Sequence, residues 1–312
     1  DKPRLFLSEA ALKRRERQHL QLDSTDLPVS PTYIQKIRKE GGNVVAISKW
    51  NNSVLVRGNN RQTLEDLKVL PFVRDSKLVF TSPDSIRPLS QRVRCRSDLQ
   101  VLDSTIHDYY GMGKAQLENL NGRKLHDMGF QGQGMTIAVL DAGFMNVDKM
   151  AAFKNVNIVG THNFVAGYDA DVYKEMEHGT KTLSVIAVNQ PSTFVGSAPK
   201  ASFWLLRSED YLTESSAEED YWIAAAEFAD SVGVDVISSS LGYHGFDDKS
   251  LNYHYSDLNG LTAPISRAAS LLASKGIILV NSAGNDGMGP WKKINVPADA
   301  HDILTVGAIA PD

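Results

Sequence analysis

Three side chains of different chemistry stand where the sequence predicts that a strand ends or a helix begins. Asp141 follows the run TIAVL, His178 lies in EHGTKTL at a predicted helix start, and Asn285 follows IILVNSAG. An aspartate that accepts a hydrogen bond from the Nδ1–H of a histidine fixes the ring tautomer, which leaves Nε2 free to take a proton from a hydroxyl nucleophile. A side-chain amide can stabilise the oxyanion that forms at an attacked carbonyl. Together these residue types predict acyl-transfer chemistry.

The elements around these residues alternate between short apolar strands and amphipathic helices from about residue 109 onward. One helix is expected to begin at Ser216, because Ser216 and Glu219 have the spacing of a capping box. The alternation predicts an α/β fold with a doubly wound, mostly parallel sheet that is covered on both faces. In such sheets, reactive groups collect beyond the carboxyl ends of the strands. We therefore expect Asp141, His178 and Asn285 at one edge of one sheet.

Four motifs, in this order, resemble the subtilisin-like serine peptidase (subtilase, S8) family: IAVLDAGF, HGTKT, ISSSLG and NSAGN. The resemblance covers about residues 109–312. It implies a serine endopeptidase that hydrolyses peptide bonds of a polypeptide substrate through an Asp-His-Ser triad. In that family Asp141 and His178 match the catalytic aspartate and histidine, and Asn285 matches the amide of the oxyanion hole.

A second part of the resemblance concerns substrate binding and the nucleophile. Ser240, Leu241 and Gly242 match the family segment that pairs with substrate backbone. The family's serine motif, Gly-Thr-Ser-x-Ala, does not occur in the 312 residues. The resemblance therefore implies a catalytic domain truncated before the serine motif, whose serine lies on a missing portion or on a second fragment of the same protein. By itself this chain is expected to be inactive, because a His–Asp pair without a nucleophile performs only part of the chemistry.

One function from another class, peptide binding without catalysis, remains as an alternative. A non-catalytic pseudo-peptidase, or a peptide-binding module with a propeptide-filled groove, would show the same motifs without the serine. A nucleotide-binding enzyme on a doubly wound sheet is excluded, since no predicted strand is followed by Gly-x-Gly-x-x-Gly or by a P-loop.

The amino-terminal region has a different pattern and predicts a small α+β domain over residues 1–82. Ser8 is placed to cap a first helix, Pro31 lies in the first turn of a second, and two strands flank Asn51 and Asn52. A further helix and a strand over FVRDSKLVF complete the predicted order. In size, position and element order this domain resembles the family's propeptide, which implies a zymogen-like chain.

Residues 83–108 are predicted to be a linker, and residues 109–312 the peptidase domain. The linker contains two prolines and four arginines in SPDSIRPLSQRVRCRSD, a composition typical of an exposed loop and of a processing site. Its Cys95 is the single cysteine of the chain, so no internal disulfide can form. Cysteine content therefore does not indicate whether the protein works in an oxidising or a reducing compartment.

Composition limits the partners further. A formal net charge of −4 gives no reason to expect a nucleic acid, and no apolar run approaches the ~20 residues of a membrane helix. The chain begins at Asp1 without a methionine, so a removed signal peptide and a late start both remain open. With the family resemblance, a secreted or periplasmic location is expected.

No cofactor is required by the motifs, and calcium is the one candidate metal. Asp169 and Asp171 lie in the acidic stretch GYDADVYKEME, and hard cations prefer clustered oxygen ligands. A solvated acidic loop is the alternative interpretation of the same stretch.

Overall fold

A parallel β-sheet lies at the centre of the structure, a computed structural model that describes residues 2–58, 60–81 and 108–309. The α-helices of these ranges, numbered in chain order, are α1 (Glu9–Arg17), α2 (Pro31–Lys39), α3 (Arg61–Lys68), α4 (Lys114–Asn119), α5 (Gly122–Asp127), α6 (His178–Ala187), α7 (Ala217–Val232) and α8 (Pro264–Ser274). The strands are β1 (Asn43–Ser48), β2 (Ser53–Arg57), β3 (Thr136–Asp141), β4 (Asn157–Asn163), β5 (Asn189–Gln190), β6 (Phe194–Val195), β7 (Ser202–Arg207), β8 (Val236–Ser239), β9 (Ile278–Ser282) and β10 (Leu304–Val306). Six of these strands form one sheet in the order β10-β9-β8-β3-β7-β4, and all its pairings are parallel.

The two faces of this sheet bury two separate hydrophobic clusters. Successive side chains of a strand point to opposite faces, and β3 shows this directly. Ala138 and Leu140 pack in a cluster with residues of α7 and α8, whereas Ile137 and Val139 pack in a cluster with residues of α6. Helices therefore cover both faces, and the predicted doubly wound α/β architecture is confirmed.

The amino-terminal elements agree with the sequence prediction except for its last strand. Ser8 accepts a hydrogen bond from the backbone N–H of Ala11 as the N-cap of α1, and Pro31 opens α2. The strand predicted over FVRDSKLVF does not form, because β1 and β2 pair only with each other and leave this segment without a ladder. Instead, the carbonyl of Val79 accepts a hydrogen bond of 3.2 Å from the hydroxyl of Ser216, just before α7.

The capping box predicted at the start of α7 is wrong. Ser216 has a helical backbone conformation and its side chain caps nothing. The carboxylate of Glu219 accepts instead from the hydroxyl of Tyr253 at 2.7 Å. The preceding Glu218 accepts the backbone N–H of Ser215 at 3.1 Å, so a neighbouring acid closes the helix start. The aromatic partner is 34 residues away in the chain, and spacing alone could not reveal it.

Buried charges join the first 26 residues to the sheet domain. Arg14 of α1 donates to the carboxylate of Asp230 of α7. Arg15 donates to Asp230 at 2.8 Å and to Asp26 at 3.1 Å. Lys275, which follows α8, lies 3.2 Å from Asp26. None of these five side chains is more than 3% exposed, so this charged cluster is sealed from water.

A close backbone approach accompanies this cluster. Gly233 ends α7 in the left-handed conformation, with φ of 91°. A Cβ atom at this position would lie 2.5 Å from the Cβ of Ala10 and 2.5 Å from the backbone nitrogen of Ala11. Only a glycine allows α1 to pack this tightly on the end of α7.

Another acid of α7 holds the turn between β1 and β2. The carboxylate of Glu227 accepts from the hydroxyl of Ser48 at 2.7 Å and from the backbone N–H groups of Lys49 and Trp50 at 2.8 and 3.0 Å. Three donors on one buried carboxylate fix the position of this hairpin against the helix.

The predicted linker over residues 83–108, with Cys95 and the processing site, lies outside the described residues except for Asp108. The domain boundaries after residues 82 and 108 stay predictions. None of the helices in the described part of the chain is long and apolar enough to span a membrane.

Candidate active site

Asp141 is the last residue of β3 and is completely buried at the carboxyl edge of the sheet. One carboxylate oxygen, Oδ1, accepts the backbone N–H of Ala142 at 2.8 Å and lies 2.8 Å from Nδ1 of His178. The other, Oδ2, lies 3.1 Å from the hydroxyl of Thr182. That hydroxyl is also 3.1 Å from the carbonyl of Gly179 and has one proton to share between the two acceptors. Each carboxylate oxygen thus has a donor within reach.

Thr182 was not identified from the sequence. It stands four residues after His178 on α6, so both side chains lie on the same face of the helix. The i, i+4 spacing within HGTKT was the signal that could have revealed it.

His178 is the first residue of α6, and its side chain is half exposed. The hydrogen bond to Asp141 raises the pKa of His178 above its ordinary value, because the carboxylate stabilises the imidazolium. Burial opposes this increase, and the negative charges of Asp141 and Glu209 add to it. With Nδ1 bound to Asp141, Nε2 has no hydrogen-bond partner among the described residues. The ring is therefore oriented for proton transfer at Nε2.

Small residues let α6 approach the end of β3. A Cβ atom on Gly179 would lie 2.4 Å from the carbonyl oxygen of Gly143 and 2.9 Å from the Cβ of Asp141. A Cβ atom on Gly143 would lie 2.2 Å from the carbonyl oxygen of Glu175. Any side chain at these two positions would push the histidine away from the aspartate.

Ser240, Leu241 and Gly242 follow β8, the neighbour of β3, at the same edge of the sheet. Ser239 pairs in register with Leu140, so Ser240 follows at the level of Asp141. The carbonyl of Leu241 accepts from the amide of Asn281 at 3.2 Å, which ties the segment to β9.

Asn285 lies three residues beyond the end of β9 and is exposed. β9 is two strands away from β3, and each strand spacing is about 4.8 Å. Gly284 turns the chain here with φ of 97°. The Asn285 side chain makes no cap hydrogen bond, so its amide is available as a donor. The structure thus brings Asp141 and His178 into contact, with Ser240–Gly242 and Asn285 farther along the same edge.

Glu209 is a second acidic group beside His178 that the sequence did not reveal. It follows β7, whose last residue, Arg207, is in register with Asp141. Burial raises the pKa of Glu209 to about 7, and the negative charge of Asp141 adds to this effect.

The candidate calcium ligands are engaged with protein groups. Asp169 lies 2.5 Å from the ammonium of Lys174 and accepts the backbone N–H of Asp171 at 3.0 Å. Asp171 in turn accepts the backbone N–H of Tyr173 at 2.9 Å. Within residues 2–58, 60–81 and 108–309, no group of three or more His, Cys, Asp or Glu side chains is arranged to hold a metal ion.

Two family models match the chain. The model described as "Subtilase family" matches residues 132–311, and the model described as "Peptidase S8 propeptide domain, Bacteroidota" matches residues 1–95. The first covers more than half of the chain and includes every residue of the edge described above.

Individual proteins of known sequence or structure are also similar to this chain, with identities below 30%. Subtilisin E of Bacillus subtilis is 24% identical over 275 residues, which are 88% of this chain and 60% of that protein. Subtilisin Savinase of Lederbergia lenta is 28% identical over 185 residues, which are 59% of this chain and 58% of that protein. Among solved structures, that of the serine protease MycP1, an essential component of the type VII (ESX-1) secretion system, has a TM-score of 0.49 at 22% identity, covering 68% of this chain and 62% of that one. The matched part of the chain spans about three fifths of the length of each of the two subtilisins.

Proposed function

Because the chain belongs to the subtilase family, we propose that the protein that contains it is a serine endopeptidase. The observation that supports this most strongly is the 2.8 Å contact between Nδ1 of His178 and Oδ1 of Asp141 at the carboxyl edge of the parallel sheet. A buried carboxylate bound to one ring nitrogen, with the other nitrogen unoccupied by the described residues, is the arrangement that general-base catalysis requires.

The proposed reaction proceeds through an acyl-enzyme. His178 takes the proton of a serine hydroxyl at Nε2 while the serine oxygen attacks the substrate carbonyl, and Asp141 stabilises the imidazolium that forms. The side-chain amide of Asn285 donates to the oxyanion. The imidazolium then gives its proton to the leaving amine as the peptide C–N bond breaks. Water next attacks the carbonyl of the acyl-enzyme while His178 takes a proton from it, and the imidazolium returns this proton to the serine oxygen as the ester bond breaks and the carboxylic acid product leaves. The nucleophilic serine is proposed to lie outside residues 1–312.

Substrate binding is assigned to the backbone of Ser240, Leu241 and Gly242, with a polypeptide as substrate. Two asparagines hold this segment in place. The side-chain amide of Asn281 donates to the carbonyl of Leu241. Asn295 packs against Gly242 so closely that a Cβ atom on Gly242 would lie 2.9 Å from the Cβ of Asn295. A segment held in this way can form hydrogen bonds with an extended peptide without first paying an ordering cost.

Residues 1–82 are proposed to act as the propeptide, cut from the peptidase domain within residues 83–108. The propeptide family model that matches residues 1–95 supports this assignment. The nucleophilic serine is proposed to lie either on a missing portion of the catalytic domain or on a second fragment of the same protein. Denaturing intact-mass spectrometry distinguishes these two origins of the serine. A second polypeptide beside the 34.3 kDa chain would indicate a nicked protein, and a single 34.3 kDa species a truncated one.

The protein is further proposed to be secreted or periplasmic. The subtilisins of Bacillus subtilis and Lederbergia lenta are its relatives. Fractionation of the producing cells tests this proposal, and recovery of the protein with cytoplasmic markers would contradict it.

The test of the function is peptide hydrolysis by the full-length protein and its His178→Ala variant. The variant should lose at least about 10⁴-fold in kcat, because no base then accepts the serine proton. Asp148→Asn is the matched control, since Asp148 is an exposed acid of the same domain. Wild-type turnover by the His178→Ala variant would contradict the assignment of His178 as the general base. Peptide binding without hydrolysis by the unmodified protein would identify a non-catalytic peptide-binding groove instead.

A further inference from the structure

A fully buried arginine lies beside the Asp141–His178 pair. Arg207 is the last residue of β7, is in register with Asp141 and is 0% exposed. Alternation along β7 directs its side chain to the same face of the sheet as Phe203 and Leu205, which pack in the cluster with residues of α6. The guanidinium therefore lies on the face of the sheet where His178 begins α6.

The donors of Arg207 connect the segment after Asp141 to the segment before His178. Nε donates to the carbonyl of Ala142 at 2.8 Å, and Nη2 donates to the carbonyl of Glu175 at 3.2 Å. Ala142 directly follows Asp141, and Glu175 lies three residues before His178. One guanidinium thus bridges both halves of the pair, because its planar fork holds several donors in fixed directions.

The two segments also meet at the guanidinium itself. A Cβ atom on Gly143 would lie 2.2 Å from the carbonyl oxygen of Glu175 and 2.8 Å from Nη2 of Arg207. Two residues farther on, the backbone N–H of Met145 donates to the carbonyl of Met176 at 2.9 Å. The bridge therefore stands at the end of a short backbone contact and fixes the spacing of the two segments where they reach the catalytic side chains.

A carboxylate and an aromatic ring hold the guanidinium in place. Nη1 lies 3.5 Å from the carboxylate of Glu175, and the guanidinium carbon lies 5.2 Å from the ring centroid of Tyr168. The hydroxyl of Tyr168 in turn donates to the carboxylate of Asp210. A side chain that only filled this space could be apolar, like Leu205 two positions earlier, since a buried charge is unfavourable unless its donors are bonded. The directed donors of Arg207 are therefore what this position requires.

We propose that Arg207 is a positioning residue that sets the geometry of the Asp141–His178 pair. It acts through the backbone carbonyls of Ala142 and Glu175 and touches neither the substrate nor the reacting atoms. This inference rests on the proposed peptidase function, in which a displacement of about 1 Å at the general base can lower the rate about 10²-fold. Without the bridge, the two segments can move apart.

Arg207→Lys tests the bridge in the full-length protein. Lysine keeps the positive charge, but one ammonium group on a flexible stem cannot reproduce the fork that bonds two carbonyls. The kcat for peptide hydrolysis should fall by about tenfold to hundredfold, and KM should stay within about threefold, because Arg207 does not contact the substrate.

Ser266→Ala is the matched control for a loss of stability alone. The buried hydroxyl of Ser266 donates to Asp299 at 2.6 Å, in α8 on the other face of the sheet. Its loss should lower the melting temperature and leave kcat within about twofold. Thermal unfolding curves of all variants show whether kcat follows stability or the bridge.

A second readout follows the histidine itself. The hydrogen bond to Asp141 is the largest cause of the raised pKa of His178, so a displaced ring should titrate at lower pH. The charges of Glu209 and Lys181, which also act on this pKa, are not altered by Arg207→Lys. NMR titration of His178, with the downfield resonance of its Nδ1 proton, should show the change in this variant and none in the control.

Arg207→Ala gives an independent check by chemical rescue. The space left by the side chain can receive a free guanidinium ion, which has the same donor fork. Millimolar guanidinium should restore part of kcat, whereas ammonium at the same concentration should not. The absence of a difference between the two ions would contradict the bridge. Failure of both Arg207 variants to fold would assign the residue to the fold as a whole and overturn the proposal.

The outcomes separate this inference from the proposed function. The inference requires both a lower kcat and a lower pKa of His178 in Arg207→Lys. Hydrolysis by the wild type, with either of these unchanged in the variant, would overturn the inference and leave the peptidase intact. A lower pKa of His178 in a protein that hydrolyses no peptide would support the positioning role and overturn the peptidase. An unchanged pKa in such a protein would overturn both.

Discussion

Two aspartates of the sheet domain are equally buried and have different surroundings. Asp141 and Asp230 are both 0% exposed. Asp141 has two neutral donors and one titratable ring, that of His178. Asp230 is surrounded by the permanent cations of Arg14 and Arg15.

The difference lies in what each partner can do. An imidazole changes charge near neutral pH, and the half-exposed ring of His178 can reach a substrate. The guanidinium groups beside Asp230 stay charged and are at most 3% exposed, so they can only hold α1 against α7. One buried carboxylate serves proton transfer, and the other serves attachment.

Asp141→Asn should have the largest effect and should separate these roles. The asparagine keeps the size of the side chain but favours the wrong tautomer of His178, so we expect kcat of the full-length protein to fall by about 10⁴-fold. The measurement is kcat together with a thermal unfolding curve. A kcat within tenfold of wild type would show that Asp141 is only a structural acid, like Asp230.

Arg14→Ala tests the other side of the comparison. It leaves Asp230 with one fewer cation, so the free energy of unfolding of the uncleaved protein should fall by about 3–5 kcal/mol. Arg17→Ala is the control on the same helix: Arg17 lies 2.7 Å from Asp235 but is 61% exposed, and its loss should cost less than about 1 kcal/mol. Urea unfolding measures both. Equal losses for the two variants would mean that burial of the pair contributes nothing.

Thr182→Val tests whether the hydrogen bond from the Thr182 hydroxyl to Oδ2 of Asp141 contributes to activity. Valine has nearly the shape of threonine but cannot donate to Oδ2, so kcat should fall by about threefold to tenfold, as expected for one hydrogen bond. Thr180→Val is the control, because the Thr180 hydroxyl donates to the carbonyl of Met145 and does not reach Asp141. An unchanged kcat in Thr182→Val would assign its hydroxyl to the carbonyl of Gly179 alone.

The smallest expected effect is on the pH dependence. His178 must be neutral to act as a base, so kcat/KM should rise with pH through its raised pKa, with a midpoint above about 6.5, the value of an unperturbed histidine. Asp141 and Glu209 raise this pKa and Lys181 lowers it. Removing one negative charge by Glu209→Gln should therefore move the midpoint to lower pH, by less than about one unit. A shift to higher pH would contradict the placement of Glu209 beside the ring.

Much of the sheet edge could be predicted from the sequence because its signals are local. The apolar runs before Asp141, Ser240 and Asn285 defined parallel strands, and parallel strands end at one edge. The Asp141–His178 contact follows from that geometry and from the small residues between strand and helix.

The rest depends on partners that are distant in the chain. Asp230 and Arg14 are 216 residues apart, and an arginine-rich helix predicts exposure by composition. Tyr243 directly follows the motif ISSSLG, yet its side chain is buried in the core with Phe246 and Tyr253. Local patterns contain no information on such contacts, which form only when the elements pack.

Gly233 limits which catalytic domains of related proteins can be joined to this amino-terminal region. The same residue ends α7 and receives Ala10 and Ala11 of α1. A chimera that combines this amino-terminal region with another catalytic domain is compatible only if that domain also lacks a side chain at the equivalent position. The amino-terminal region is therefore not an interchangeable module, and the two parts of the chain are constrained to change together.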